Sequence, residues 1–208
     1  MSLYLSKKGI THEFIILPNN PSEKEKELLK QPTENAKIIP RDLETLYATW
    51  NAGIRNARYE NICFWNVDDR RFGKGILSGL QDMENGADIV YFPFIYFRYL
   101  KIGSVKLLAK IRSFVPPEFD KTIFSKEMHC GPFFMTNKKA FSKIGFFDET
   151  FTVAGDYEWC VRATVSGLTF KKSTATAGIF TSDGTTLSGS RSGKHAMENE
   201  RVHNAVRL

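Results

Sequence analysis

Two short stretches of the chain carry carboxylates in settings where chemistry could use them. The first is NICFWNVDDRRF, Asn61 to Phe72, in which an apolar run gives way to Asn66, Asp68, Asp69, Arg70 and Arg71. A carboxylate pair at the carboxyl end of a buried strand can hold Mg²⁺ or Mn²⁺ through one or two oxygens, leaving the other positions to phosphate oxygens and water. Such a cation offsets charge on a departing diphosphate as a Lewis acid, without proton transfer. The plain structural alternative is a turn opened by Asp68 and Asp69, with Arg70 and Arg71 as their ion partners on the surface.

The second stretch is GFFDETFTVAGDYEWCVRA, Gly145 to Ala163. Asp156 opening a helix would stand at its positive end in an ordinary capping role. Glu158 and Arg162, four apart, would then form an exposed ion pair while Trp159, Cys160 and Ala163 face the core. In the other reading Asp156 is a general base that takes a proton from a hydroxyl nucleophile, which requires a carboxylate aimed into a cleft with a modestly raised pKa. Local sequence leaves both open.

The elements that would position these groups follow from periodicity and punctuation. HEFIIL (His12 to Leu17) is a buried strand running into the turn cluster PNNPS, and Ser22 with Glu25 makes a capping box for the charged helix EKEKELLKQ. AKIIP is a second strand. RDLETLYATWNAGIRNAR then places Leu43, Leu46, Tyr47, Trp50, Ile54 and Ala57 at helical spacing. NICFWN is a third strand, GKGILSGLQDMENG a helix stopped by Gly86, and ADIVYFPF a fourth strand. Alternation of strand and helix predicts an α/β fold, a single domain with a mostly parallel central sheet flanked by helices. Ligands in such sheets bind outside the carboxyl ends of the strands, where Asp68 and Asp69 fall. Beyond residue 100 the pattern predicts a helix over KIGSVKLLAKIRSFV, a loop over PPEFDKTIF, a strand passing into a helix over GPFFMTNKKAF, and a helix from about Asp156 to Ser166 with Gly167 as its stop. The end of the chain, 182–208, reads as a mobile basic tail, either a loop that could order over a ligand followed by a short helix, or a frayed end.

Composition bounds the class. The chain has 208 residues, 42% hydrophobic and 13% aromatic, enough to fill one sizeable core and too apolar for disorder. Cys63, Cys130 and Cys160 are odd in number and far apart, which predicts reduced packing residues and a cytoplasmic setting. No Cys-x-x-Cys occurs, and His129 beside Cys130 lacks the spaced partners of a zinc site. ADIVYFPFIYFRYL is broken by Pro93 and Arg98 and falls short of the ~20 residues of a membrane span, so peripheral membrane contact is the only kind left open. A net charge of +6 suits an anionic ligand such as a nucleoside diphosphate, and equally anionic lipid. Nucleic acid is not expected as a partner, because the basic residues are interleaved with acids and no recognition motif occurs. Nothing in the sequence speaks to oligomeric state.

In order and wording these segments resemble the family-2 glycosyltransferases of the glycosyltransferase A-type fold. HEFIILPNNPSEKE is similar to the family's second strand and its turn toward the nucleoside. LYATWNAGIRNARYENICFWNVDDRRF is similar to its helix, third strand and Asp-x-Asp metal loop, and GPFFMTNKKAFSKIGFFDETFTVAGDYEWCVRATVSGLTF to its acceptor-side block. The resemblance spans roughly 12–187. It implies a nucleotide-binding half over 12–100, an acceptor-side half over 101–181, and inverting transfer from a nucleotide sugar, a UDP-sugar foremost, to a saccharide or glycoconjugate hydroxyl, assisted by Mn²⁺ or Mg²⁺. By the same carry-over Asp156 matches the catalytic base, and Gly155 replaces the Glu that often precedes it. Asp68 matches the metal-binding Asp, with Asp69 flanking it and Asn66 where the motif's first Asp usually stands. Asn19 or Asn20 sits at the position that contacts the base of the nucleotide. Arg70 and Lys194 are candidate helpers at the phosphates, and His195 is a candidate third metal ligand.

Two departures stand out. MSLYLSKKGIT contains nothing like the family's first strand and its nucleotide-pocket turn, and Asn66 brings no charge. Both favour a second reading, a non-catalytic member of the fold that binds carbohydrate or serves as a scaffold. A sugar-phosphate nucleotidylyltransferase is the third, and it would want a Gly-rich basic phosphate loop near the N-terminus that this sequence lacks.

Overall fold

The computed structural model describes residues 1–31, 34–102, 105–183 and 193–205. In chain order these form α1 (Ser2–Lys7), β1 (Phe14–Ile16), α2 (Glu23–Leu29), β2 (Ala36–Ile38), α3 (Leu46–Asn56), β3 (Asn61–Cys63), β4 (Arg70–Arg71), α4 (Gly73–Glu84) and β5 (Ile89–Tyr91). There follow β6 (Phe94–Ile102), β7 (Val105–Phe114), α5 (Lys121–Phe124), β8 (Met135–Asn137), α6 (Lys138–Ile144), α7 (Gly155–Val165), β9 (Phe170–Lys172), β10 (Gly178–Ser182) and α8 (Gly193–Ala205).

The central sheet has the order β3-β8-β5-β9. β8 runs antiparallel to both β3 and β5, and β5 runs parallel to β9, so three of the four strands point the same way. β5 lies inside the sheet with Ile89, Val90 and Tyr91 at 0% exposure, which explains the unbroken apolar run there. β3 is an edge strand of three residues and only half buried, shorter and less enclosed than NICFWN suggests. β1 and β2 form a separate parallel pair, with β1 against α3. At Pro93 the chain leaves β5 for β6 and a second sheet, ordered β4-β10-β6-β7. Proline has no N–H to give a ladder, and it marks the place where one sheet ends and the other begins.

Between sheet and helices lies an aromatic core. Trp50 of α3 stacks on Phe64 at 4.5 Å, Phe141 of α6 packs on Trp159 of α7 at 4.8 Å, and Phe147 touches both tryptophans. Trp159 is fully buried, and its ring N–H donates to the Gly145 carbonyl at 2.9 Å, so burial leaves no polar atom stranded. The capping box at Ser22 forms, Thr45 caps α3 through the Ala48 N–H, and Gly86 and Gly167 take positive φ after α4 and α7. Cys63, Cys130 and Cys160 are free thiols.

Two expectations need correction, and one alternative is decided. Residues 105–114 are a strand, not a helix. Val105, Leu108 and Ile111 imitate a helical stripe because a register shift beside Arg98 and Tyr99 inserts an extra residue and breaks the alternation. Over its described part the end of the chain takes the short-helix alternative, since α8 docks on the body with Val202 at 0% exposure; residues 184–192 and 206–208 lie outside the described part. The Glu158–Arg162 pair is not an exposed one. It is largely covered, and the Arg162 guanidinium also donates to the carbonyls of Ile144 and Phe146, holding the end of α6.

Arg71 is likewise not a surface ion partner. It is 5% exposed, donates Nη1 to the Phe64 carbonyl at 2.7 Å and Nη2 to the Phe133 carbonyl at 2.8 Å, and so ties the end of β3 to the approach to β8. Arg71→Ala leaves both carbonyls buried without a donor and opens a cavity. A loss of about 3 kcal/mol in a urea melt is expected, and a loss below about 1 kcal/mol would remove this role.

Candidate active site

Asp156 stands in the first turn of α7, where the helix N-terminus favours negative charge. Its surroundings are set by Tyr47 of α3, whose hydroxyl lies 2.7 Å from the Val153 carbonyl and 3.0 Å from Asp156 Oδ1, sharing its single proton between them. The Tyr157 N–H donates to the same oxygen at 2.9 Å, and Oδ2 accepts no hydrogen bond among the described residues. A β-carbon at Gly155 would stand 2.7 Å from two ring carbons of Tyr47, so the bare backbone there lets the phenol reach the carboxylate. Burial pushes the Asp156 pKa up. The hydrogen bonds from Tyr47, the Tyr157 N–H and its own backbone, with the electrostatic effect of His195, pull against that rise without cancelling it. Burial also raises the Tyr47 phenol, which therefore stays a neutral donor.

The loop that leads into α7 is held from the far end of the chain. Glu198 of α8 accepts from the Thr152 N–H at 2.9 Å, the Thr152 hydroxyl at 2.7 Å, and the N–H groups of Val153 and Ala154 at 2.8 Å each. Arg201 continues the clamp, donating to Asp148 at 2.9 Å and to Thr150 at 2.7 Å with its guanidinium 4.0 Å from the Phe151 ring centroid. His195 lies on the same helix within electrostatic reach of Asp156, 3.3 Å from Asn199 through Nδ1. Sequence reasoning picked out His195 here and passed over Glu198 and Arg201. Their acid–base alternation in MENERVHNA was the available signal, but nothing local says which loop they meet.

At the end of β3 the chain turns through a hydrogen bond from the Asp69 N–H to the Asn66 carbonyl. Asp69 is 5% exposed, and its Oδ1 accepts from the Thr181 N–H of β10 at 3.0 Å. Burial raises its pKa to about 7; the Thr181 N–H, Arg71 and Asn66 oppose the rise and the neighbouring Asp68 adds to it. Asp68 is exposed and within electrostatic reach of Lys106 on β7, which in turn pairs with Asp183 at 2.6 Å. Arg70 is exposed on β4, opposite Ile179. Lys194 is exposed on α8. Among the described residues no three His, Cys, Asp or Glu side chains gather as a cation-binding group, and His195 is grouped with Asp156 rather than with the Asp68–Asp69 turn. The chain therefore offers a divalent cation one solvent-facing carboxylate, with a second beside it already engaged at one oxygen. That donor set suits a hard cation that takes most of its ligands from phosphate and water.

The two asparagines after β1 differ. Asn19 is consumed by the chain, giving its amide N–H to the Glu44 carbonyl at 2.8 Å and the Thr49 hydroxyl at 3.2 Å and accepting the Glu44 N–H at 3.1 Å. Asn20 has φ of 51° and lines an open depression of about 290 Å³ with Pro40, Arg41 and Asp42. Of the two, Asn20 is the one that lines that depression.

Solved structures share this arrangement of elements. The chain covers 55% of a structure of S. aureus TarS 1-349 in complex with UDP, with 93% of its own length aligned, TM-score 0.62 and 12% identity. S. aureus TarS 1-349 without that ligand aligns over 81% of this chain and 51% of its own, with TM-score 0.59 and 12% identity. The chain shares the mixed α/β fold of these structures, sheets flanked by helices. The longer TarS structure is matched over 31% of its length, at TM-score 0.60 and 11% identity, so the chain spans about half or less of each of these three structures. No family model matches the chain, and no curated protein matches it.

The Glu198 clamp makes a testable demand. Burial would raise this carboxyl, but the Thr152 hydroxyl and the loop N–H groups outweigh it and hold the pKa below the ordinary value of 4.5. A depressed carboxylate contributes stability above its unfolded pKa and loses it as pH falls through the folded one. Glu198→Gln should therefore cost on the order of 1 to 2 kcal/mol at neutral pH, with the gap from the parent chain closing below about pH 4. Urea melts at both pH values decide, and an undiminished gap in acid would refute the clamp.

Proposed function

We propose that the chain transfers a sugar from a nucleoside diphosphate sugar to a hydroxyl acceptor with inversion at the anomeric carbon. The observation that carries this reading is Asp156: a partly buried carboxylate with a raised pKa, one oxygen fixed by Tyr47 and the Tyr157 N–H, the other unengaged. A general base needs that combination of fixed orientation and basicity. The likeness in fold to a TarS structure that contains UDP supports a nucleotide-sugar donor, a UDP-sugar foremost.

In this mechanism Asp156 Oδ2 takes the proton from the acceptor hydroxyl as its oxygen attacks the anomeric carbon and the bond to the diphosphate breaks. Tyr47 keeps Oδ1 oriented, and the Glu198 clamp holds the loop that presents the base. Asp68, with Asp69 behind it, would hold Mn²⁺ or Mg²⁺ at the diphosphate, where such a cation supplies charge neutralisation. Asn20 and Arg41 border the depression assigned to the nucleoside, and Arg70 is placed to meet phosphate. The acceptor side falls to 101–181. A binding or scaffold role is the second reading, favoured by Asn66 where a carboxylate would serve the cation and by the engagement of Asp69 with Thr181.

Asp156→Asn should lower transfer by about 10² to 10⁴ with donor binding kept, because the amide preserves shape but accepts no proton. Turnover in a radiolabelled-sugar assay unchanged by this substitution would remove Asp156 from the mechanism. Asp68→Ala should instead weaken nucleotide binding only when the divalent cation is present. A variant whose response to Mn²⁺ matches the parent would reassign the cation.

A further inference from the structure

The second sheet ends in a hairpin that the rest of the described fold leaves uncovered. β6 and β7 pair in an antiparallel ladder with β7 outermost, and every residue of β7 is exposed. Leu100, Val105, Leu107, Leu108 and Ile111 each leave between 47% and 57% of their surface open. Exposed apolar side chains crowded on one uncovered hairpin mark a place where something else docks.

Cross-strand partners point to the same side of a ladder. On one side Leu100 faces Leu107, then Arg98 faces Lys110, then Tyr96 faces Arg112. On the other Tyr99 faces Leu108 and Phe97 faces Ile111. The first of these sides thus changes character along its length, apolar at Leu100 and Leu107 and cationic behind them, while Lys101 pairs with Lys106 in the ladder between the leucines and the turn. At roughly 3.3 Å per residue, Arg98 and Lys110 stand about 7 Å behind the leucine pair and Arg112 about 13 Å behind. An amphipathic element at a bilayer buries its apolar part by about 5 to 10 Å, which sets those cations at the level of the phosphates. Among the described residues Lys106 is paired with Asp183, whereas Arg98, Lys110 and Arg112 form no salt bridge.

We propose that the β6–β7 hairpin docks the protein on an anionic lipid surface, with Leu100, Leu107 and Leu108 entering the acyl boundary and Arg98, Lys110 and Arg112 meeting headgroup phosphates. A second copy fits this edge badly, because pairing two β7 strands would crowd Lys110 and Arg112 of each copy along one seam, and β7 carries no carboxylate to offset them. Nucleic acid would answer the cations and leave the leucines in water. Lys106 is within electrostatic reach of Asp68, so docking sets the strand end of the proposed donor site beside the headgroups. The acceptor hydroxyl is then one presented at a membrane, a step that rests on the sugar-transfer reading while the docking itself does not.

The test is sedimentation of the full chain with vesicles of phosphatidylcholine alone or of equal parts phosphatidylcholine and phosphatidylglycerol, without nucleotide. Binding to the anionic vesicles only is expected, weakening as salt rises. Lys110→Gln with Arg112→Gln should weaken it about twentyfold or more, and Leu107→Ser with Leu108→Ser at least about tenfold. Melting midpoints and UDP-sugar binding, measured without vesicles, should match the parent in both variants, so that loss of docking is separated from misfolding and from failure of the donor site. No sedimentation with anionic vesicles, equal sedimentation of parent and variants, tighter binding to single-stranded RNA, or a dimer in light scattering that either variant abolishes would overturn the proposal.

Discussion

The approach of the Tyr47 ring to Gly155 is the contact on which the surroundings of Asp156 turn. α3 and α7 meet where a side chain is missing, and a ring carbon would lie 2.7 Å from any β-carbon placed there. Because the ring fits, its hydroxyl reaches both the Val153 carbonyl and Asp156, joining the loop and the helix it precedes. Burial then does the chemical work of lifting the pKa, and the aromatic core behind it, from Trp50 through Phe147 to Trp159, keeps the two helices from moving apart. A glutamate at position 155 would serve as a second acid only at the expense of that contact.

Charge at the end of β3 is arranged by a different logic. Two of the four charged residues there are turned inward and spent on the backbone: Asp69 on the Thr181 N–H, Arg71 on two carbonyls. They stitch β3, β10 and the approach to β8 into one rim, since a buried charge is tolerated where it satisfies groups that would otherwise be stranded. Asp68 and Arg70 are left facing out. The rim is thus hydrogen-bonded where it is buried and solvent-facing at Asp68 and Arg70, and the hairpin that brings Lys106 toward Asp68 continues the same edge.

What could be read ahead of the structure was what neighbouring residues decide among themselves. The stripe from Leu46 to Ile54, the Ser22–Glu25 box and the stops at Gly86 and Gly167 are local, and they form. β7 was misread because one extra residue in the ladder turns a strand's alternation into an apparent helical stripe, which only its partner β6 can disclose. The clamp by Glu198 on residues 152–154 spans 44 to 46 positions, and the inward turn of Arg71 depends on carbonyls at Phe64 and Phe133. Neither leaves a trace in its own neighbourhood. The same limit applies to Asn19 and Asn20, equivalent by position and distinguished only by where Glu44 and Thr49 come to lie.

The central claim is the proposed one, that the chain takes a nucleoside diphosphate sugar with Asp68 and Asp156 as its working carboxylates. A thermal-shift panel of UDP-, GDP- and dTDP-sugars, each with and without Mn²⁺, tests it most directly. The account predicts stabilisation by one nucleotide class, UDP foremost, that grows when Mn²⁺ is added. No shift with any donor, with or without the cation, would contradict it and leave the fold to a binding role.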